Sequence, residues 1–363
     1  MNILLDGMFY SGHGFAEGNR VLLRMLDEAG YNVRILPRDW SDKNLALTPD
    51  EKQFIASFEN TVLPSNDLYL CNWTGPKVRY NPDYRINITR TTFETDRIPA
   101  SWVPELNRFD EVWVQCKFNL TTFAASGVNV PLRLVPNFFE VDQYSPRGER
   151  LPLPIEQSFL FLSVFDMQSR KGYDLLIRAF LDEFSRSDDV ALVIKIREPS
   201  ASHLLESIAA GHPKPTEERP PIFLVAQMLS TPELLGLYRA CSAFVLPTRG
   251  EGWGRSFFEA MLLEKPVIGT NWSGQTEYMT EMNSYLVEVE QLVRIDENDI
   301  PIFTGHYWAE PSMADLKKKM RQVFGRPDEA RERGRRARRE LLDKFNIRSV
   351  ARKVRSEIEK YIT

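Results

Sequence analysis

FVLPTRGEGWGRSFFEAMLLEKPVIGTNWSGQTEY, residues 244–278, is the most informative stretch of this 363-residue chain. Its opening, Phe244–Leu246, reads as a buried strand that stops at Pro247. A loop then holds Gly250, Glu251, Gly252, Trp253 and Gly254, and a helix follows from about Arg255 to Leu263. A strand that turns through glycines into a helix is a building block of a parallel α/β sheet. The same turn lets a ligand approach the backbone closely and offers the unpaired N–H groups of a helix start, a setting that suits a phosphate. Glu251 and Glu259 stand eight positions apart, one in the loop and one in the helix. At about 1.5 Å rise per residue they would lie roughly 12 Å apart if the helix began at Glu251, too far for the roughly 5–10 Å carboxylate pair of a glycosidase. Acids so placed suit two parts of one long ligand, because a carboxylate accepts well from vicinal sugar hydroxyls. The surrounding glycines and aromatics argue against glutamates that merely cap and decorate a helix.

Working outward, the same alternation continues on both sides. Strands are expected at Phe159–Val164, Ala191–Ile196, Ile222–Val225 and Ala243–Leu246, with helices in Tyr173–Phe184 and Pro232–Ala240. Tyr173, Leu176, Ile177, Phe180, Leu181 and Phe184 form one apolar stripe for packing on a sheet. The first half repeats the pattern at Asn2–Leu5, Asn19–Ala29, Asn32–Leu36, Arg85–Ile88, Glu111–Gln115 and Leu132–Pro136. Its first strand runs into Gly7, Gly12, Gly14 and Gly18, a turn that aims N–H groups at an anion, with Gly12 and Gly14 as donor-binding candidates, or simply closes tightly; the spacing is not G-x-G-x-x-G. Between the halves, QYSPRGERLPLPIEQ (Gln143–Gln157) breaks every periodicity and reads as a linker. The expected organisation is α/β: a Rossmann-like domain over 1–145, a linker over 146–157, a second Rossmann-like domain over 158–345, and a closing helix over 346–363. The ligand is expected in the cleft between the domains, at the carboxyl ends of the strands.

Composition narrows the classes. Hydrophobic residues make up 43% and charged residues 26%, with 46 Lys and Arg against 50 Asp and Glu, so disorder is excluded and no global field favours nucleic acid. Cys71, Cys116 and Cys241 are far apart, form no C-x-x-C pair and read as reduced core thiols of a cytoplasmic protein. No apolar run approaches the roughly 20 residues of a membrane span. From Asp315 onward the chain carries 17 Lys and Arg against 8 Asp and Glu, either a solvated helical face or a peripheral contact with an anionic membrane. The histidines His13, His203, His212 and His306 show no metal-binding spacing, and there is no D-x-D, G-x-S-x-G or Walker motif. No metal and no cofactor are expected.

Glu251-Gly252-Trp253-Gly254, Glu259-Ala260-Met261 and Lys265-Pro266-Val267-Ile268 together resemble the signature E-G-F-G-x-x-x-x-E-A-M-x-x-G-x-P-V-I of the large family of retaining GT-B glycosyltransferases (family 4, glycosyl transferases group 1). The resemblance implies a GT-B fold and transfer of a sugar from a nucleotide-diphosphate donor to an acceptor hydroxyl, as in polysaccharide, glycolipid or glycoconjugate synthesis, without a metal. It implies that Glu251 contacts the donor sugar and Glu259 the nucleotide ribose, that Gly252 and Trp253 also contact the donor, and that backbone amides around Gly254, Arg255 and Ser256 hold the diphosphate. Ser169-Arg170-Lys171-Gly172-Tyr173-Asp174-Leu175-Leu176 is similar to the family stretch R-K-G-x-D-x-L-I, whose lysine neutralises the diphosphate, a role that passes to Lys171. Val135-Pro136-Asn137 through Ser145-Pro146 is similar to the family's passage into the linker. Val225–Ser230 looks like the stretch that meets the base, making Met228 a candidate, and the final helix looks like the one that crosses back to the first domain. After the strand Arg85–Ile88, where acceptor-side groups are expected, there is no histidine, and Glu94 is the candidate.

One departure stands out. Where the family usually has an arginine five positions before its lysine, this chain has Asp166. The second cation must come from elsewhere, Arg170 first, with Arg197 or Arg249 in reserve. The same departure keeps open a protein that binds a nucleotide sugar without turning it over, and the fold also serves nucleotide-sugar epimerases and phosphorylases. The product separates them.

Overall fold

A computed structural model describes residues 1–12, 14–39, 47–297 and 299–362. The chain divides into two compact units, one made of Met1–Val141 with Lys344–Thr363 and the other of Asp142–Asp343. His13 lies outside the described residues.

In the first unit, β1 (Asn2–Gly7), β2 (Asn32–Pro37), β3 (Leu68–Asn72), β4 (Ile86–Thr91), β5 (Glu111–Val114) and β6 (Leu132–Leu134) form one sheet in the order β2-β1-β3-β4-β5-β6. Every pairing is parallel. The sequence reading passed over β3, although it is buried along its whole length at the centre of the sheet. Leu68, Leu70 and Ile88 join Leu22, Leu26, Ile35 and Trp113 in the core, and the helix Ile347–Glu359 adds Val350, Val354 and Ile358 to the same cluster. Those three recur every four residues, so they share one helical face.

The approach to the first glycine turn holds a carboxylate of the chain. The N–H groups of Phe9, Tyr10 and Ser11 donate to the Asp39 carboxylate at 2.8, 3.0 and 2.9 Å. The donors that lead into the turn are therefore taken by an anion of the chain itself. Gly12 follows in a bend, and Gly14 opens the helix Gly14–Glu28.

In the second unit, β7 (Phe159–Val164), β8 (Val190–Ile196), β9 (Ile222–Ala226), β10 (Ala243–Leu246), β11 (Val267–Thr270) and β12 (Tyr285–Val287) pair in parallel in the order β12-β11-β10-β7-β8-β9. The chain winds from β7 through β8 to β9 in one direction, then returns to β10 and winds through β11 to β12 in the other. Loops that leave β7 and β10 thus diverge at their carboxyl ends and leave a crevice there, the place where open α/β sheets take their ligands. An antiparallel hairpin, β13 (Val289–Arg294) and β14 (Tyr307–Pro311), follows, with the helices Met313–Gly325 and Pro327–Lys344.

The segment read as a linker is docked on the second unit. Leu151 N–H donates to Gly236 O at 3.0 Å, and Arg239 Nε donates to Ser145 O at 3.0 Å. Its prolines deny it helix and ladder bonds, yet they leave its carbonyls free to accept from the helix Thr231–Ala240. Much of the basic charge of Pro327–Lys344 is also paired locally: Arg331 with Asp328, Arg333 with Glu329, and Arg335 and Arg339 with Glu332. Arg338 donates to the backbone of Tyr144 and Leu262. Among the described residues no helix is long and apolar enough to cross a membrane. The three cysteines are free and buried, and burial pushes the Cys71 and Cys241 thiols up to about 12.

Candidate functional site

The loops after β7 and β10 meet at the reversal point of the second sheet. Ser169–Lys171 forms a single turn after β7, and Gly172 closes it at φ +66°. A Cβ at Gly172 would stand 2.0 Å from Pro247 O, so only glycine lets this turn lie against the end of β10. Arg249 N–H donates to Arg170 O at 2.6 Å, which locks the two loops together.

This close approach brings three charges into one cluster. Lys171 Nζ lies 2.6 Å from Glu251 Oε1, and Arg170 Nη1 lies 3.1 Å from the same oxygen. Arg170 also donates to Gly250 O and to Gln168 Oε1. All three side chains are largely buried, with exposures of 7% for Glu251, 12% for Lys171 and 13% for Arg170. Burial alone would raise the Glu251 carboxyl, but Arg170 and Lys171 outweigh it and hold the group below the usual carboxylate range. Burial, reinforced by Arg170, lowers the Lys171 ammonium in spite of Glu251. Two cations on one carboxylate leave positive charge for a further anion.

Glu251 is fixed from behind by residues the sequence reading did not single out. Its N–H donates to Ser273 Oγ at 2.9 Å, and its carbonyl accepts from Gly274 N–H at 2.9 Å. Ser273 is buried at φ +68° and ψ −153°, a region almost reserved for glycine, so the loop stores strain to keep this hydroxyl in place. Gln275 donates to Thr248 Oγ1 and Thr270 O, completing a buried polar brace. In sequence, S-G next to a strand end was the only signal, and it reads as an ordinary turn.

Arg249 proves to be a brace and not a reserve phosphate ligand. It binds Asp174 through two 2.9 Å bonds and Glu310 of β14 at 2.8 and 3.2 Å, and it donates to Ser169 O. Burial would raise the Asp174 carboxyl, but Arg249 holds it below its ordinary value.

Gly254 stands at φ +83° as the cap of the helix Arg255–Leu262, whose start has no side-chain cap. A Cβ there would meet Phe257 at 2.7 Å. Trp253, named among the donor-contacting residues, points its ring into the core between Phe258 and Tyr278, at centroid distances of 5.7 and 5.0 Å. Only its backbone faces the loop, and there Tyr278 Oη donates to the carbonyls of Trp253 and Gly254. The apolar indole follows the strand and helix around it into the interior, where burial favours it. Glu259 lies one face along the helix, 3.6 Å from Arg255, and accepts long bonds from Tyr238 Oη at 3.4 Å and Tyr144 Oη at 3.5 Å. Burial and then Glu259 push the Tyr238 hydroxyl up, so it stays a donor. Ser256 offers its carbonyl to Tyr238 Oη. Met228 is half exposed beyond β9. Glu94 is on the first unit, beyond the carboxyl end of β4.

Residues 156–295 match the family model described as glycosyl transferases group 1. The alpha-maltose-1-phosphate synthase of Mycolicibacterium smegmatis is 26% identical over 163 residues, 45% of this chain and 38% of that protein, so the match spans well under half of that relative. The fold is similar to sucrose-phosphate synthase from Thermosynechococcus elongatus, with a TM-score of 0.70 at 17% identity over 100% of this chain and 99% of that one. A glycosyltransferase from Rickettsia africae ESF-5 gives 0.69 at 15% identity over 100% and 98%. HepE from Anabaena, in complex with UDP and glucose, gives 0.65 at 13% identity over 99% and 100%. At these identities the likeness is one of fold.

Proposed function

Since the chain belongs to the group 1 glycosyltransferases through residues 156–295 and has the two-unit GT-B architecture, we propose that it is a retaining enzyme. It moves a sugar from a nucleotide-diphosphate donor to an acceptor hydroxyl without a metal. The observation that carries this reading is the buried Glu251 held by Lys171 and Arg170 beside the uncapped start of the Arg255–Leu262 helix, at the reversal point of the second sheet. The HepE complex with UDP and glucose is support of a weaker kind, since it speaks of another protein.

In this reading Lys171, Arg170 and the N–H groups of Gly254–Ser256 stabilise the diphosphate, where charge grows as the bond to the sugar breaks; one such donor is typically worth about 2–4 kcal/mol. Glu251 orients the sugar hydroxyls and Glu259 the ribose. The bond from the anomeric carbon to the β-phosphate oxygen breaks as the acceptor oxygen bonds to the same face. The acceptor's proton passes to the released phosphate oxygen, so no protein nucleophile is needed. Glu94 is the proposed acceptor-side group and Met228 the proposed neighbour of the base. The acceptor belongs to a polysaccharide, glycolipid or glycoconjugate, and the site of action is the cytoplasm. Any peripheral contact with anionic lipid would use the arginines of Pro327–Lys344, and sedimentation with anionic vesicles at low salt tests it.

The deciding experiment is a panel of UDP-glucose, UDP-N-acetylglucosamine and GDP-mannose, assayed for binding and for release of nucleoside diphosphate. Slow release from one donor, with water in place of the acceptor, identifies a transferase and its sugar; the anomeric configuration of a glycosylated product tests retention. A new nucleotide sugar instead would point to an epimerase. Failure of every donor to bind would overturn the reading.

A further inference from the structure

At the carboxyl edge of the second sheet, one guanidinium stands out. Arg197, the residue after β8, has its Nη1 buried without a hydrogen-bond partner, and its ion pair, Nε to Asp166 Oδ1, is long at 3.6 Å. A buried N–H left unmatched is costly, and it marks a place where an acceptor atom completes the arrangement. Asp166 lies two residues past β7, and its charge acts on both Lys171 and Lys195. It therefore links the Arg197 side of the sheet to the Lys171–Glu251 cluster. Lys195, buried in β8, donates to Ile196 O, and burial together with Arg197 lowers its ammonium. Four cations, Arg170, Lys171, Lys195 and Arg197, thus gather along the ends of β7 and β8. They share Asp166, Glu251 and, beside Lys195, Glu198, which leaves an excess of positive charge.

We propose that Arg197 is a further phosphate-binding residue of the donor site, a third cation beside Lys171 and Arg170 that reaches the diphosphate from β8. Its planar fork suits two phosphate oxygens at once, and Asp166 stands 3.6 Å from its Nε. The assignment rests on the reading of the second unit as a nucleotide-sugar site.

The test is calorimetric binding of UDP, of GDP and of uridine to the full chain and to Arg197→Ala, Arg197→Lys and Lys171→Ala, with thermal melts to confirm folding. Arg197→Ala should weaken UDP or GDP, whichever the wild type prefers, by about 10- to 100-fold while uridine binds as before. Arg197→Lys should recover part of the loss, because charge returns without the fork; it also serves if the alanine variant does not fold. Unchanged diphosphate binding in Arg197→Ala, with a clear loss in Lys171→Ala, overturns the assignment and leaves the donor site standing. Equal losses for diphosphate and uridine overturn it too, since they mean a structural role. Absence of diphosphate binding by the wild-type chain removes the donor site and this residue with it.

Discussion

Glu259 and Lys171 do different work, and single substitutions separate them. Glu259 receives long bonds from Tyr144 and Tyr238 and stands 3.6 Å from Arg255 on the same helix, so Glu259→Ala should leave the fold intact and weaken donor binding by roughly 1–3 kcal/mol, the value of lost charge-assisted bonds. Calorimetry with the donor checks this, and unchanged affinity would remove Glu259 from the site. Under the proposed function Lys171 faces the group on which charge grows, so Lys171→Ala should lower kcat by more than it lowers ground-state binding. Equal turnover in the two proteins would end its phosphate role. Both residues were singled out in the sequence by the segments that hold them, and the structure sets Lys171 against Glu251 and Glu259 in the helix that follows. Ser273 was not: its contribution is a hydroxyl held by a backbone angle of +68°, and no residue pattern announces an angle. Nor was the inward turn of Arg249, whose partner Glu310 lies 61 positions away.

Among the elements, the Ser169–Lys171 turn carries the sharpest constraint. Gly172→Ala forces a side chain onto φ +66° and a Cβ to within 2.0 Å of Pro247 O, so it should cost about 2 kcal/mol or more and abolish transfer as the turn lifts away from β10. Urea unfolding with an unchanged slope, set beside the assay, measures both effects. Four of the six strands of the second sheet were readable from largely apolar runs such as Phe159–Val164, since strands buried on both faces need no alternation. The hairpin β13–β14 was not, because Val289–Arg294 is mostly exposed and its apolar residues neither alternate nor form a run. Its value lies in Glu310, which reaches Arg249, and that is a tertiary fact. The linker was recognised by its prolines, but its docking on Gly236 depends on a helix about eighty residues further on.

For the molecule as a whole, acid should be the weak side. Burial alone would raise Asp174, Glu251 and Glu357, yet Arg249, then Arg170 with Lys171, and then Lys353 with Lys360 hold these carboxyls below their ordinary values. A carboxyl depressed in the folded state adds stability that is complete above its unfolded value, near pH 4, and is lost as pH falls through the folded value. Thermal melts should therefore stay level from pH 7 to 5 and fall below about pH 4. Asp174→Asn should flatten that fall for the second unit and Glu357→Gln for the first. An acid limb unaltered in both variants would mean that other groups govern it.

The first unit is written in two pieces, Met1–Val141 and Lys344–Thr363, with the whole of the second unit between them. Val350, Val354 and Ile358 fill its core from the later piece. During synthesis the earlier piece must wait, with part of its apolar surface uncovered, while some two hundred residues emerge and fold by themselves. A nascent chain halted just before Ile347 should accordingly carry a protease-resistant second unit joined to a protease-sensitive first one. The ribosome finishes the second unit first, and the earlier piece of the first unit waits longest to become part of a folded body.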